Sequence, residues 1–144
     1  MKVLVQKSKK SSVTVSGSVV GRIDSGLVLF VGFTHDDTIE KINYMVKKVL
    51  NLRIFEDENN VMNKSLLDVG GSILSISQFT LYGDASNGNR PSYTMAMPGK
   101  DAIKLYELFN ERLSESVKVE TGIFGADMLV SIENDGPTTI MLER

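Results

Sequence analysis

Seven consecutive residues, Leu27-Val28-Leu29-Phe30-Val31-Gly32-Phe33, carry neither a charge nor a hydrogen-bonding side chain. The run is bounded by Asp24-Ser25-Gly26 on one side and by Thr34-His35-Asp36-Asp37 on the other. That length and those boundaries predict a strand buried on both faces, so further layers must cover it. The rest of the chain supplies strands in runs rather than in strict βαβ alternation. Val3–Gln6, Val13–Val15, Val19–Ile23, Ser72–Leu81, Val117–Val119, Met128–Ile132 and Thr139–Leu142 all have strand character. Ser16-Gly17 reads as a hairpin turn.

Two segments carry the helical period. Ile39, Ile42, Met45, Val46, Val49 and Leu50 form one apolar stripe, with Asp36 or Asp37 as the cap and Glu40 completing a capping box. Lys100 to Ser114 forms the second, through Ile103, Leu105, Tyr106, Leu108, Phe109 and Leu113. The pattern predicts a mixed α/β (α+β) chain that is one domain over residues 1–144. Its mostly antiparallel sheet is expected to curl into a barrel, with the two main helices packed outside.

Composition narrows the function classes. The chain has no Cys, so disulfides, thiol nucleophiles and thiolate zinc sites are excluded together. His35 is the only histidine and precedes a helix, where a loop or capping role outweighs general-base chemistry. No HExxH, Walker loop or GxGxxG is present, and neither a metal nor a cofactor is expected. Asp57-Glu58-Asn59-Asn60 lacks the EF-hand pattern and reads as a solvated loop. The N-terminus reads directly as a strand without a leader, and no apolar stretch nears 18 residues. A cytoplasmic protein without a membrane segment is expected. The net charge of −2, with lysines scattered except Lys7, Lys9 and Lys10, argues against duplex binding. No DNA partner is expected, whereas a nucleic-acid end held by a few contacts remains open.

Four segments concentrate polar or unusual chemistry. Ser77, Gln78 and Thr80 cluster at the end of a strand that otherwise looks buried, where polar groups need partners or a substrate. Thr80 is the best hydroxyl nucleophile, but no base stands near it in sequence. Arg90, in Gly88-Asn89-Arg90-Pro91-Ser92, suits a phosphate or carboxylate or else caps its loop. Phe124, in Phe124-Gly125-Ala126-Asp127-Met128, is either core or a stacking platform for a base. Gly136-Pro137 lies in Asn134-Asp135-Gly136-Pro137-Thr138-Thr139 between two apolar runs. Local grammar makes that a hairpin turn. Gly136 also permits close backbone approach, and an X-Pro bond is cis in about 5–6% of cases.

In combination, Ser77-Gln78-Phe79-Thr80-Leu81 and Asn134-Asp135-Gly136-Pro137-Thr138-Thr139 resemble the two defining motifs of the D-aminoacyl-tRNA deacylase family, the D-tyrosyl-tRNA deacylase type. Val3-Leu4-Val5-Gln6, Thr34-His35-Asp36-Asp37, Asn51-Leu52-Arg53-Ile54-Phe55, Asp68-Val69-Gly70-Gly71 and the Arg90 and Phe124 segments extend the resemblance nearly end to end. It implies a homodimer that hydrolyses the ester between a D-amino acid and the 3′-terminal adenosine of tRNA. It also implies a cis Gly136-Pro137 bond that reaches from one subunit into the other's active site, where its backbone rejects L-amino acids. Glycyl-tRNA, lacking a side chain to reject, is the expected second substrate.

The resemblance makes the backbone N–H groups of Phe79 and Thr80 the candidates for holding the developing oxyanion. Ser77 and Gln78 would orient the substrate or the strand, while Phe124 and Met128 would flank the terminal adenine. Thr80 as nucleophile, Thr80 as water holder, and assistance from the ribose 2′-OH stay open. One departure is visible. The family commonly has Arg where this chain has Lys7, which keeps the charge and loses the planar fork. A non-enzymatic RNA-end or DNA-binding module on the same fold and a purely structural homo-oligomer are the competing readings.

Overall fold

The computed structural model describes all 144 residues. Its elements run β1 (Lys2–Val15), β2 (Ser18–Ile23), β3 (Gly26–Gly32), α1 (Ile39–Leu50), β4 (Phe55–Glu56), β5 (Met62–Lys64), α2 (Leu66–Val69), β6 (Ser72–Ser77), a 3-10 turn (Phe79–Tyr82), α3 (Gly99–Ser114), β7 (Val119–Thr121) and β8 (Leu129–Glu143).

The apolar run is β3, and it is covered on both faces as expected. Leu27, Leu29 and Val31 pack with Ile42, Met45 and Val49 of α1 and with Tyr106, Phe109 and Leu113 of α3. Val28 points the other way, into a smaller cluster with Val13, Ile23, Leu74 and Ile76. Each such side chain, fully buried, contributes roughly 1.5–3 kcal/mol relative to exposure. The helices therefore sit on one face of the sheet, and the second cluster fills the inside of its curl.

β1 organises the sheet. Along one edge it pairs antiparallel with β8; along the other it pairs first with β3, over Lys2–Ser8, and then with β2, over Ser11–Val15. β3 pairs parallel with β6, and β6 parallel with β7. Parallel neighbours need long crossovers; α1 with the β4–β5 hairpin and α2 supplies the first, and α3 the second. The sheet nearly closes on itself: a Cβ on Gly21 of β2 would lie 2.7 Å from the Thr121 carbonyl oxygen of β7. No helix is long and apolar enough to cross a membrane.

The structure revises several local expectations. Val3–Gln6 and Val13–Val15 belong to one strand, because the exposed Lys9 and Lys10 between them leave the strand intact. Met128–Ile132 and Thr139–Leu142 likewise merge into β8, and Gly136-Pro137 is not a hairpin turn. The strand expected over Ser72–Leu81 ends at Ser77, and the chain then coils into the 3-10 turn. Thr38, not Asp36 or Asp37, caps α1 by accepting from Lys41 N. Asp37 is occupied elsewhere, accepting from the Met1 ammonium at 2.6 Å and from Thr34 N at 2.8 Å. The β4–β5 pair and α2 were too short to read from periodicity, and β7 starts at Val119 rather than Val117. Ser16-Gly17 is a hairpin turn with both φ values positive, 48° and 81°, as a type I′ turn needs.

Gly26 sets the β3–β6 spacing. Its φ is +138°, and an added Cβ would fall 1.9 Å from the Ser72 carbonyl oxygen. Gly17 also has a positive φ but nothing within 4 Å of an added Cβ. Gly26→Ala is expected to lower stability by about 3 kcal/mol or more, and Gly17→Ala by only about 1 kcal/mol. Urea unfolding with unchanged m-values distinguishes the two, and equal losses would refute the spacing argument.

Candidate active site

The parallel strands β3 and β6 end side by side, with Val31 opposite Ser77. The region beyond the carboxyl ends of parallel strands is where open α/β sheets hold ligands. Gln78 N donates to the Val31 carbonyl at 2.7 Å and closes the ladder; the chain then turns through Phe79–Tyr82. The segment Tyr93–Met97 is pinned beside these strand ends. Met97 N donates to the Phe33 carbonyl at 2.9 Å, and Thr34 Oγ1 donates to the Met95 carbonyl at 2.6 Å. His35 Nε2 donates to the Thr94 carbonyl at 2.8 Å, which gives the lone histidine a structural task.

Between these pieces lies a cleft of about 690 Å³. Val31, Gly32, Ile76 and Ser77 form its floor, and Phe79 and Tyr93 one rim. Those two rings meet edge to face, 5.1 Å between centroids. Gly99 and Ala102 of α3 and the loop Phe124–Met128 complete it. The Phe124 ring leans on Tyr106 at 5.8 Å, and the Tyr106 hydroxyl donates to the Ser75 carbonyl at 2.8 Å. Burial pushes the Tyr106 phenol up, so it remains a donor. One buried phenol thus backs both Phe124 and the β6 strand below the cleft.

Five of the residues singled out from sequence share this cleft: Ser77, Gln78, Phe79, Phe124 and Met128. Thr80 stands just outside the wall and is exposed. Its Oγ1 accepts from Gln78 Nε2. Arg90 is exposed on the loop that follows and does not line the cleft. Gly136 and Pro137 are exposed and line no part of their own chain's cleft. Tyr93, Met97, Gly99 and Asp127 also line it and carry no sequence signal of their own; proximity to the Arg90 and Phe124 motifs was the only pointer.

The titratable side chains of the wall are Tyr93 and Asp127; no histidine or lysine lines it. A serine-protease style relay therefore has no base here. Backbone donors are available instead. The N–H groups of Phe79 and Thr80 open the 3-10 turn, where donors have no acceptor within the turn itself. No grouping of three or more His, Asp or Glu side chains is placed to hold a metal ion.

Gly136-Pro137 forms a bulge in β8, and its peptide bond is cis. β8 pairs with β1 on both sides of it, Gln6 with Thr139 and Ser8 with Asn134, so Asp135–Thr138 stand opposite Lys7 alone. Asn134 closes the base of the bulge. Its Nδ2 donates to the Lys7 carbonyl at 2.9 Å and to the Thr138 carbonyl at 3.1 Å, and its Oδ1 accepts from Gln6 Nε2 at 3.2 Å. Lys7 is buried, with Nζ 2.8 Å from Glu56 and 3.6 Å from Asp135. Burial alone would push the Lys7 ammonium down; the Glu56 hydrogen bond and the charges of Asp135 and Glu56 outweigh it, and its pKa is raised. The Lys7 hydrogen bond in turn holds the Glu56 carboxyl below its usual range.

Comparison with known proteins places this geometry. The family model described as D-Tyr-tRNA(Tyr) deacylase matches residues 4–143. The D-aminoacyl-tRNA deacylase of Clostridium novyi (strain NT) is 56% identical over 144 residues, covering 99% of this chain and 97% of the relative. That of Limosilactobacillus reuteri (strain DSM 20016) is 54% identical over 145 residues and covers both chains completely. Among solved structures, the c-Myc DNA Unwinding Element Binding Protein superposes with a TM-score of 0.95 at 41% identity, covering 100% of this chain and 99% of that one. A probable eukaryotic D-amino acid tRNA deacylase superposes at 0.83 and 20% identity, covering 98% and 97%, and shows the shared fold. With its length matched end to end and the two signature motifs in place, the chain belongs to the D-aminoacyl-tRNA deacylase family, hydrolases that act on the ester bond of aminoacyl-tRNA.

Proposed function

We propose that this chain removes D-amino acids from tRNA in the cytoplasm as a homodimer. In that reading, Gly136 and Pro137 of the partner subunit complete each cleft. The observation that carries the reading is a mismatch within one chain. The Ser77–Phe79 strand end opens into a cleft, while the other signature motif is an exposed backbone bulge that its own cleft does not use.

The stereochemistry follows from a wall. At the α-carbon, next to the ester carbonyl, an L-amino acid points its side chain where a D-amino acid points hydrogen. A backbone wall on that side excludes the L form by clash, and exclusion is a robust source of specificity. Glycine passes the same wall. The terminal adenine would lie between Phe124 and Met128, and Arg90 would meet a phosphate of the tRNA end. Water would attack the ester carbonyl while the N–H groups of Phe79 and Thr80 stabilise the oxyanion. Gln78 holds the Thr80 hydroxyl, so Gln78 and Thr80 position rather than attack. Ser77 sets the strand end from which the turn departs.

Release of amino acid from D-, L- and glycyl-tRNA tests the proposal directly. Turnover of the D and glycyl forms with none of the L form is expected; equal D and L rates would refute it. Retention of tRNA without any release would instead favour a binding role, of the kind named for the 41% identical structure.

Thr80→Ala separates backbone from side-chain catalysis. If the N–H groups carry the step, kcat falls by less than about tenfold, equivalent to about 1.4 kcal/mol of barrier. A nucleophilic hydroxyl requires a loss of several orders of magnitude in single-turnover measurements.

Asn134→Ala tests the anchoring of the bulge. Loss of its hydrogen bonds is expected to cost about 1–3 kcal/mol of stability, because the Lys7 and Thr138 carbonyls lose their partner. Discrimination against L-aminoacyl-tRNA should fall while D turnover persists. An unchanged D-to-L ratio in the folded variant would show that the bulge needs no such anchor.

A further inference from the structure

A second concave site lies at the carboxyl end of α1, lined by Tyr44, Lys47, Lys48, Asn51, Leu52 and Arg53. Its volume is about 460 Å³. Three of these six side chains are cationic and none is a carboxylate. That is unusual in a chain of net charge −2. Lys47, Lys48 and Arg53 take part in none of the ion pairs of the molecule. Asp68 is the carboxylate that feels Arg53, and it is already engaged by Ser65 at the start of α2.

The helix dipole accounts for part of this. Basic residues in a last turn complement the carbonyl end of a helix, and Lys47 and Lys48 occupy that turn. It does not account for Arg53, which lies beyond the helix on a separate segment. The Arg53 guanidinium is held in place by Asn63, through Nε to the backbone carbonyl at 2.8 Å and Nη2 to the side-chain oxygen. Its Nη1 has no partner in the chain and is free for an anion. Nor does the dipole account for Tyr44, whose ring is exposed at the edge of the groove with the Arg144 guanidinium 4.8 Å above it.

A cation–aromatic path leads from the cleft to this groove. Tyr82, the last residue of the 3-10 turn, carries the Lys2 ammonium 4.9 Å over its ring. Lys2 pairs in register with Glu143, the neighbour of Arg144, and Arg144 covers Tyr44. Three carboxylates border the path: Glu143, 3.9 Å from Lys2, and Asp36 and Asp37, whose charges also reach Tyr82 but which are engaged by Lys41 and the Met1 ammonium. Alternating aromatic rings and cations suit a nucleic-acid strand, through stacking and phosphate contact. The twelve residues of α1 span about 18 Å from its start to the groove at its end.

We propose that the Tyr44–Arg53 groove binds backbone phosphates of the tRNA acceptor stem, making a second contact some distance from the ester. This inference rests on reading the cleft as the deacylase site. It assigns the affinity for the tRNA body to α1 and its following turn, leaving the cleft to recognise the aminoacyl end. Discrimination among amino acids is then independent of the groove.

The test uses the full-length double variant K47E/K48E, whose residues are exposed and absent from the cleft. Hydrolysis is compared on D-aminoacyl-tRNA and on a D-aminoacyl-adenosine that lacks the stem, and binding of uncharged tRNA is titrated against salt. The expected result is a KM for the tRNA substrate raised at least about tenfold, with kcat and the adenosine substrate unaffected. The slope of log affinity against log salt should shallow by about 2 if two phosphate contacts are lost, and K47R/K48R should keep the wild-type slope. Unchanged tRNA affinity and slope in K47E/K48E would overturn the inference. So would equal losses on both substrates, or lost binding to anionic vesicles with tRNA binding intact. Absence of D turnover in the wild type would fail the deacylase reading instead, and the uncharged-tRNA titration would still decide the groove.

Discussion

The parallel pairing of β3 with β6 is the contact on which the rest of the molecule depends. Parallel ladders survive where both faces are covered, and β3 meets that demand with α1 and α3 on one side and the Val28 cluster on the other. The pairing begins at Gly26 against Ser72, where only a residue without Cβ fits. It ends at Val31 against Ser77, where Gln78 N takes the last carbonyl and the chain turns away. The cleft is the space that opens past this final rung. The strand stops there and leaves the Phe79 and Thr80 N–H groups off the ladder; a strand continuing to Leu81 would spend them on it.

Much of this scaffold was legible in the residues. The uncharged run at Leu27–Phe33 announced a doubly covered strand, and the stripes of α1 and α3 announced what covers it. Both signals are periodic or continuous over many residues, so tertiary context has little room to override them. The misread places are short or depend on partners far away in sequence. Asp37 looks like a cap until the Met1 ammonium and Thr34 N occupy its carboxylate. Lys9 and Lys10 hide the continuity of β1, since charges at exposed positions leave backbone pairing intact. The rim at Tyr93–Met97 depends on the Phe33 carbonyl accepting from Met97 N and on Thr34 Oγ1 donating to the Met95 carbonyl, some sixty residues away in sequence, which no local pattern reports.

The Gly136-Pro137 bulge shows a different limit. Asp-Gly between two apolar runs is a strong local signal for a turn, yet β1 pairs with β8 on both sides and draws it into one strand. The bulge is then held from below by Asn134, with Lys7 adding charge rather than shape. A guanidinium would offer a planar fork to Glu56 and Asp135 together; the ammonium of Lys7 sits at 2.8 Å from one and 3.6 Å from the other. The Asn134 amide ties the bulge to the β1 backbone through carbonyls, without drawing on either charge.

Charge distribution explains how a chain of net charge −2 can still serve an RNA substrate. Sixteen basic residues face eighteen acidic ones. Lys2, Lys7, Lys41, Lys64 and Lys118 are committed to carboxylates within the chain. Such pairs neutralise anions locally, so the acidic excess is not spread evenly over the surface. The uncommitted cations at the end of α1 then act over a range set by ionic screening, about 10 Å at 0.1 M salt. Beyond that range the net charge of the whole molecule has little influence, and a single carboxylate-free concavity suffices to attract phosphate. A longer contact with duplex would bring acidic residues elsewhere on the surface within that range, so the arrangement favours brief engagement of one end over retention along a helix.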